Sequence, residues 1–396
     1  MKKGIRYIFS LFLIVLLGIG LWYVFSDNKE KIEASVSVAE AMGGGDQEGY
    51  LRATGPREFI FPDDHGPHPG FKTEWWYYTG NLFTENGRQF GYQFTIFRNQ
   101  LNPPEGDADS LAYGKDWNTN QLYLGHFAIA DVQAEEHVFE ERYSRGAVGL
   151  AGAQTEPYRI WVEDWEIKRI DSNGTSDKNF PVQIKAAMED GASVDLNLIP
   201  QKPLILQGEQ GYDRKGEGEG NASYYLSFTR MQTNGSISIN GNQFEVSGSS
   251  WMDHEWSTSA LDEGQEGWDW FSIQLSNGYD LMYYQLRNED GSVSQFTTGA
   301  LIDPQGEKIL LGPGDVNIEV LDSWLSPHTG SEYPSEWRMN IPKAGLILDL
   351  ATLFDDQEMA VSVQYYEGTL SVSGRMNGEQ LSGNGFIEMT GYEEDE

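Results

Sequence analysis

A period-two alternation of apolar residues recurs from about residue 57 to the C-terminus and constrains the fold of this chain more than any other feature. One example is the run Phe90, Tyr92, Phe94 and Ile96. Because successive side chains of a β-strand point to opposite faces, these four residues share one face. The runs are separated by Asn-Gly and Asp-Gly pairs such as Asn277-Gly278, which signal hairpins with type I′ turns. The pattern predicts an all-β chain of antiparallel barrels or sandwiches.

Two tryptophan-dense segments lie within this pattern. The first is His68–Gly80 (HPGFKTEWWYYTG), and the second is Trp251–Trp256 (WMDHEW) followed by Gly267–Trp270 (GWDW). Tryptophan is large and usually buried, so tryptophans that alternate with carboxylates and histidine cannot all be ordinary core residues. The neighbours Trp75 and Trp76 must also serve opposite faces of one strand. These segments therefore predict an aromatic cavity that contains a few polar groups.

A weak internal repeat predicts two consecutive units. In the first half of the chain Trp76 precedes Asn86-Gly87, and in the second half Trp268 precedes Asn277-Gly278 at a similar spacing. The shared order of landmarks favours a duplication. The predicted domains are residues 57–247 and 248–392.

The first 26 residues predict a membrane anchor. Lys2, Lys3 and Arg6 precede an uncharged apolar run, residues 7–26, of roughly the 20 residues needed to span a bilayer. Basic residues on the N-terminal side predict a single-pass protein of the cytoplasmic membrane, with its globular part outside. A cleaved signal peptide is the alternative, although the apolar region of such a peptide is normally shorter. Residues 27–56 are charged and glycine-rich, and predict a flexible linker.

Charge and composition exclude several classes of protein. The chain has 61 acidic and 27 basic side chains, a net charge of -34, so it repels nucleic acid and anionic lipid. It has no cysteine, which excludes disulfides, thiolate metal sites and a cysteine nucleophile. The absence of a Gly-x-Ser-x-Gly motif weighs against a serine hydrolase. No cofactor is predicted.

Nine segments, spread in order over nearly all of residues 57–392, resemble a known family. Among them are His68–Leu82, Gly125–Asp131, Arg142–Arg145, Ser250–Ser257, Gly267–Trp270 and Gly385–Tyr392. The chain resembles the carotenoid 1,2-hydratase (hydroxyneurosporene synthase) and AttH-type lipocalin-like proteins. The resemblance implies two consecutive lipocalin-like β-barrels. It also implies a functional group formed by His254, Trp256 and Asp269.

Hydration of an isolated alkene requires an acid that protonates carbon and groups that stabilise the resulting cation. In an apolar cavity Asp269, between Trp268 and Trp270, would lose solvation, which raises its pKa and lets it hold a proton at neutral pH. Desolvated indole faces stabilise a cation by roughly 1–2 kcal/mol each. His254 would hold or deprotonate the attacking water. We expect Asp269 and His254 to share one cavity with Trp256.

The other residues predicted to bind substrate in this cavity are Trp75, Trp76, Glu74 and Tyr283. Each candidate also has a structural interpretation. Asp269 could cap a turn or pair with an arginine, and the tryptophans could fill the core. Glu74 could form a salt bridge with Lys72 or with an arginine of the sheet.

No metal site is predicted. Asp253 and Glu255 flank His254 on a strand, so they point to the opposite face and cannot bind one ion together with it. Structural roles are favoured for three further histidines, His65, His68 and His126.

Two functions from different classes remain. One is a lyase of the hydratase or isomerase kind that acts on an apolar, isoprenoid-like small molecule. The other is a non-catalytic protein that binds a hydrophobic ligand and works with the permease of an ABC-type transporter. Both require the aromatic cavity, and they differ over whether Asp269 and His254 share it. The enzyme is slightly favoured because both residues occur together with the aromatic pairs.

Overall fold

The computed structural model describes residues 47–104, 119–170, 180–259, 261–262 and 264–393. Regular structure in these ranges is β-strand, apart from two 3-10 turns at Asp63–His65 and Pro342–Ala344. The prediction of an all-β fold is therefore confirmed. The same ranges contain no helix long and apolar enough to cross a membrane. The predicted anchor, and the linker up to residue 46, lie outside the described residues.

Thirteen strands form the first sheet, in the order β4-β3-β2-β1-β13-β12-β9-β8-β7-β6-β5, with β10 and β11 also paired to β12. They are β1 (Thr73–Phe83), β2 (Gln89–Gln100), β3 (Gln121–Asp131), β4 (Glu136–Arg145), β5 (Ala151–Gln154), β6 (Arg159–Val162), β7 (Trp165–Arg169), β8 (Val182–Ala187), β9 (Ser193–Pro200), β10 (Ile205–Leu206), β11 (Tyr212–Arg214), β12 (Ala222–Ile239) and β13 (Asn242–Ser257). All pairings between these strands are antiparallel. The sheet curls toward a barrel, since β6 near one end packs against β2, β3 and β4 near the other.

Ten strands form the second sheet, in the order β17-β16-β15-β14-β23-β22-β20-β19-β18, with β21 also paired to β22. They are β14 (Gln265–Leu275), β15 (Asp280–Asn288), β16 (Thr298–Ile302), β17 (Lys308–Leu311), β18 (Asn317–Leu325), β19 (Glu332–Ile341), β20 (Leu346–Thr352), β21 (Glu358–Ala360), β22 (Gln364–Met376) and β23 (Glu379–Met389). This sheet is also antiparallel throughout.

The chain passes from the first sheet to the second between Ser257 and Gln265. The predicted domain boundary at residues 247 and 248 falls within β13, which pairs with β1 and β12 of the first sheet over its length. All described residues belong to one compact unit. The division into two domains stays a prediction.

The hairpin predicted at Asn277-Gly278 is confirmed, since this pair joins β14 to β15. Its turn is not type I′, because only Gly278 is left-handed, with φ 86°. In the turn between β22 and β23, by contrast, Asn377 and Gly378 have φ 51° and 90°, as a type I′ turn requires.

Alternation divides the side chains of each strand between two environments. In β1, Trp76 and Tyr78 belong to the core of the first sheet, whereas Trp75 and Tyr77 pack against the second sheet. The prediction that Trp75 and Trp76 serve different surfaces is thus confirmed. In β14, Phe271 belongs to the separate core of the second sheet.

The two sheets pack face to face through a third cluster of apolar residues. It consists of Tyr77, Tyr225, Trp251, Trp270, Met282, Tyr284 and Leu286. Polar contacts add to it: Asn81 Nδ2 donates to the Gly385 carbonyl at 3.0 Å, and Arg230 Nη2 contacts Asp280 Oδ1 at 2.6 Å. The space that remains between these faces is a cavity lined by both sheets.

Candidate active site

The cavity lies between the two sheets and is partly open to solvent. The first sheet contributes Trp75, Tyr77, Phe97, Asn99, Leu124, His126, Tyr225, Asp253 and Glu255, and the adjoining loops contribute Lys215 and Ser259. The second sheet and the loop before β22 contribute Trp268, Trp270, Tyr284, Leu286, Val363, Tyr365, Glu367 and Glu388. An aromatic wall with a few ionisable groups was predicted, and the lining has this character.

Two glutamates form a carboxyl pair on the wall made by the second sheet. Glu367 of β22 is the direct cross-strand partner of Glu388 of β23, so their side chains share one face at short range. Tyr77 donates its hydroxyl proton to Glu367 Oε2 at 2.8 Å, and Trp268 donates Nε1–H to Glu388 Oε1 at 2.8 Å. The other oxygen of Glu367 has no hydrogen-bond partner among the described residues.

Burial and neighbouring carboxyl groups raise the pKa values of both glutamates. Burial, the larger cause, raises the pKa of Glu388 to about 7 even though the Trp268 hydrogen bond opposes it. Burial and the neighbouring Glu388 raise the pKa of Glu367 well above its ordinary value. Glu388 is only partly buried. It is therefore the member of the pair that combines a carboxyl proton at neutral pH with access to a ligand.

A third acid, Asp253, lies on the opposite wall. It accepts hydrogen bonds from Tyr225 and Ser227, both at 2.5 Å, and from Trp251 Nε1 at 2.7 Å. Burial outweighs these donors and raises the pKa of Asp253 to about 7. Both oxygens of this carboxyl group are already engaged, which makes it less available to a substrate than Glu388.

Among the described residues that line the cavity, Lys215 is the only lysine or arginine. Its Nζ contacts Asp213 at 2.8 Å and Glu255 at 3.1 Å, and it lies 4.0 Å from the centroid of the Tyr284 ring. Burial alone would lower the pKa of Lys215, but the two carboxylates outweigh it and hold the pKa well above the usual value. This lysine is charged and neutralised by its neighbours, so it cannot act as a free base at neutral pH.

A second polar cluster occupies the core of the first sheet and centres on Glu74. His68 Nδ1 and His254 Nε2 contact the same oxygen, Glu74 Oε1, at 2.7 and 2.8 Å, and Arg98 Nε donates to Oε2 at 2.8 Å. Burial would raise the pKa of Glu74, but Arg98 and His68 outweigh it and hold the pKa well below the usual value. Glu74 is therefore an ion-paired carboxylate.

This cluster offers the donor types of a metal site, because ligand atoms of His68, Glu74 and His254 all lie within 4.8 Å of one another. Two observations oppose a cation there. Arg98 already places a positive charge on Glu74, and both side chains are fully buried. Ligation through His254 Nε2 would also leave a proton on Nδ1, which has no hydrogen-bond partner among the described residues. The arrangement suits a proton-sharing network better than a metal.

Three of the residues predicted to form the site line the cavity: Trp75, Trp268 and Trp270. Four others, Trp76, Glu74, His254 and Trp256, lie on the opposite face of β1 and β13, inside the first sheet. Glu74 pairs with Arg98, one of the two alternatives considered for it. His68 also lies in this cluster, with its ring parallel to Trp256 at 3.6 Å.

The predicted pairing of Asp269 with His254 is wrong. Asp269 belongs to β14 of the second sheet, on the face opposite Trp268 and Trp270, where it accepts a hydrogen bond from Tyr392 at 2.9 Å and pairs with Arg287 at 3.4 Å. Tyr283 also belongs to the core of the second sheet. Burial does raise the pKa of Asp269. The two residues nevertheless share neither a sheet nor a contact, so they cannot act as an acid–base pair.

Sequence reasoning missed most of the ionisable lining. Asp253 and Glu255 were considered only as ligands beside His254, although the same alternation places them on a shared face of β13. Glu388 stands within the Gly385–Tyr392 segment that carries the family resemblance, which was a usable signal. Glu367 stands in no such segment. His126 is buried and hydrogen-bonded as predicted, but it also lines the cavity.

Comparison with known proteins agrees with this fold. The sequence model of a family described as AttH-like matches residues 52–392. The crystal structure of a protein assigned as AttH, from Nitrosomonas europaea, superposes with a TM-score of 0.73 at 31% identity, over 86% of this chain and 99% of that one. Kievitone hydratase from Fusarium solani subsp. phaseoli is 22% identical over 305 residues, which make up 72% of this chain and 84% of the relative. The crystal structure of kievitone hydratase from Nectria haematococca has the same fold, with a TM-score of 0.64 at 14% identity, over 87% of this chain and 96% of that one.

Proposed function

The chain belongs to the AttH-like family, and on this premise we propose that it hydrates, or isomerises, a neutral isoprenoid-like alkene in the cavity between its sheets. The observation that carries the proposal is the Glu367–Glu388 carboxyl pair in an aromatic cavity. A relative named kievitone hydratase supports the reaction class. It does not identify the substrate of this chain.

Glu388 is the proton donor in this mechanism. Its pKa of about 7 leaves much of it protonated at neutral pH, because burial, and to a smaller extent Asp253 and Glu255, disfavour the ionised form. Addition of the Glu388 proton to the less substituted alkene carbon forms one C–H bond and leaves a tertiary carbocation and a carboxylate. The Asp269–His254 pair that the sequence required for catalysis is absent from the cavity lining, so the proposal rests on Glu388 in place of Asp269.

The aromatic lining stabilises that cation. Trp75, Trp268 and Trp270 face the cavity with indole rings, each worth roughly 1–2 kcal/mol to a desolvated cation. The Glu388 carboxylate adds its own charge at close range. An anionic ligand would meet several carboxyl groups instead, so the cavity favours a neutral molecule.

Water then adds to the cation. One C–O bond forms and one O–H bond of water breaks, which gives an alcohol when the released proton reaches an acceptor. Loss of a different C–H proton from the same cation gives an isomerised alkene. Both products follow from the same first step, so the choice between them depends on whether a water molecule is held beside the cation.

Glu388→Gln tests the proposal. Wild-type protein and the variant are incubated in ¹⁸O-labelled water with apolar alkenes that bear a trisubstituted double bond, including farnesol and kievitone, and the alcohols are measured by mass spectrometry. We expect labelled alcohol from wild type. The variant should form it at least about 100-fold more slowly, because a positioned general acid contributes roughly 10²–10⁴-fold to the rate. Glu336→Gln on an exposed position of the second sheet is the matched control for loss of one charge.

Ligand binding is measured in parallel by quenching of tryptophan fluorescence. Binding without turnover in wild type would contradict catalysis and support the hydrophobic-ligand carrier, the alternative that works with an ABC-type transporter. An active Glu388→Gln variant would remove Glu388 from the reaction. The outward-facing membrane anchor of the N-terminal segment remains part of the proposal for either function.

A further inference from the structure

A chain of hydrogen bonds leaves the cavity along the junction of the two sheets. Tyr365 of β22 lines the cavity, and its hydroxyl lies 2.5 Å from His126 Nδ1 of β3. His126 Nε2 lies 3.0 Å from Glu141 Oε2 of β4. Glu141 in turn accepts hydrogen bonds from Ser362 Oγ at 2.5 Å and from the hydroxyl of Tyr143, a residue that is 48% exposed. The chain therefore connects the cavity to solvent.

The direction of these hydrogen bonds follows from the groups themselves. The Tyr365 hydroxyl donates to Nδ1 when His126 is neutral, which places the imidazole proton on Nε2, where it donates to the Glu141 carboxylate. Burial would raise the pKa of Glu141, but hydrogen bonds from His126 and Ser362 outweigh it and lower the pKa. Glu141 is therefore an ionised acceptor for the proton on His126 Nε2.

We propose that Tyr365, His126 and Glu141 relay to solvent the proton that water loses when it attacks the carbocation. The proposal rests on the hydration reaction and supplies its missing proton acceptor. The Tyr365 oxygen takes the proton of the attacking water while its own hydroxyl proton moves to His126 Nδ1. The resulting imidazolium is paired with Glu141 and releases its proton toward the exposed end of the chain. Carbon gains the hydroxyl oxygen, water loses one proton to solvent, and no electron is transferred. Glu388, left as a carboxylate by the first step, takes one proton back from solvent, so the protons balance over the cycle.

The fold gives the relay a fixed geometry. His126 and Glu141 are direct cross-strand partners in the antiparallel β3–β4 pair, so the register of that hairpin places their side chains side by side. The His126 ring also packs edge-on against Phe97 at 5.3 Å and is almost fully buried. Tyr365 reaches it from the other sheet. In this relay Tyr365 takes the proton from the attacking water and is therefore a catalytic residue, whereas His126 and Glu141 act through it.

Tyr365→Phe keeps the ring and removes the hydroxyl. In the hydration assay we expect kcat to fall about 100-fold with KM within twofold of wild type, since a general base contributes to the chemical step and not to binding of an apolar alkene. Ligand quenching of tryptophan fluorescence should stay unchanged. Wild-type turnover by Tyr365→Phe overturns the relay.

His126→Ala gives a second measurement that a purely structural role would not produce. Added imidazole should restore turnover, and the restored rate should rise with the basicity of a series of substituted imidazoles of similar size. His137→Ala on the neighbouring strand β4, outside the cavity lining, is the control and should keep the wild-type rate with or without imidazole.

The outcomes separate the two proposals. Loss of turnover in Glu388→Gln, with full activity in both relay variants, leaves hydration in place and refutes the relay. A rescue that depends on the size of the added base but not on its basicity also refutes it. Absence of any hydration by wild type overturns both. If His126→Ala does not fold, Tyr365→Phe decides the question, because it keeps the packing of the ring.

Discussion

At the scale of single residues, the chemistry of this protein depends on which face of a strand a side chain takes. Asp253 and His254 are neighbours in β13, yet Asp253 lines the cavity between the sheets and His254 binds Glu74 in the core of the first sheet. Alternation alone separates them. Asp253, whose carboxyl group keeps a proton, and Glu74, whose carboxylate is ion-paired, therefore lie on the adjacent strands β13 and β1.

The Glu74 cluster should be a stability element of the first sheet. Glu74→Gln leaves Arg98 fully buried beside a neutral amide, so we expect the free energy of unfolding to fall by about 3–5 kcal/mol. Equilibrium denaturation in urea measures it. The control Lys185→Gln removes an exposed ion pair with Asp195, and its urea midpoint should equal that of wild type within error. A loss below about 1 kcal/mol in Glu74→Gln would contradict a structural role for the ion pair.

At the scale of strands, register sets the composition of the cavity wall. The type I′ turn at Asn377-Gly378 fixes the β22–β23 hairpin, and that register brings Glu367 opposite Glu388. A slip of one residue would turn one of the two carboxyl groups to the opposite face of the sheet and so separate the pair. The carboxyl pair is therefore a property of the hairpin as much as of the two glutamates.

The close approach of the two sheets depends on a glycine of β2. A Cβ on Gly91 would lie 2.0 Å from Thr369 Cγ2 of β22, and Thr369 is held by a hydrogen bond to Gln357 at 3.0 Å. Gly91→Ala should lower the free energy of unfolding by about 1–3 kcal/mol through overpacking. Adding Thr369→Ser removes the clashing methyl group and should recover most of the loss, as thermal unfolding of both variants will show. A double variant no more stable than Gly91→Ala would mean that the sheets do not meet at this point.

At the scale of the whole molecule, the joining of two sheets buries acidic groups that solvent would otherwise ionise. Burial raises the pKa values of Glu388 and Asp253 to about 7, and the net charge of -34 adds to the cost of ionising them. The folded protein therefore holds protons that the unfolded chain has released. Stability from these groups is full below their unfolded pKa values and is lost as the pH rises through about 7.

The contribution of Glu388 can be isolated by difference. His65 and His137, whose pKa values burial lowers to about 3 and about 4, act in the opposite direction, because they destabilise the fold as the pH falls below their unfolded values. Both histidines remain in Glu388→Gln. The free energy of unfolding of this variant, minus that of wild type, should rise by about 3 kcal/mol between about pH 4.5 and about pH 8. Chemical denaturation across this range measures it, and a difference that falls with pH would reverse the assignment.

The sequence by itself determined the β class of the fold, the placement of Trp75 and Trp76 on opposite faces of one strand, and the presence of an aromatic cavity with acidic groups. Each of these depends on alternation or on turn chemistry within a single strand or hairpin. It also carried the segments on which the family resemblance rests. Only the tertiary structure decided which acids belong to the cavity. Alternation shows which residues of a strand share a face, but it does not show which faces of two different sheets meet. The contact between the two sheets brings Glu367, Glu388, Asp253 and His126 to one cavity. It leaves His254 and Asp269 in separate cores.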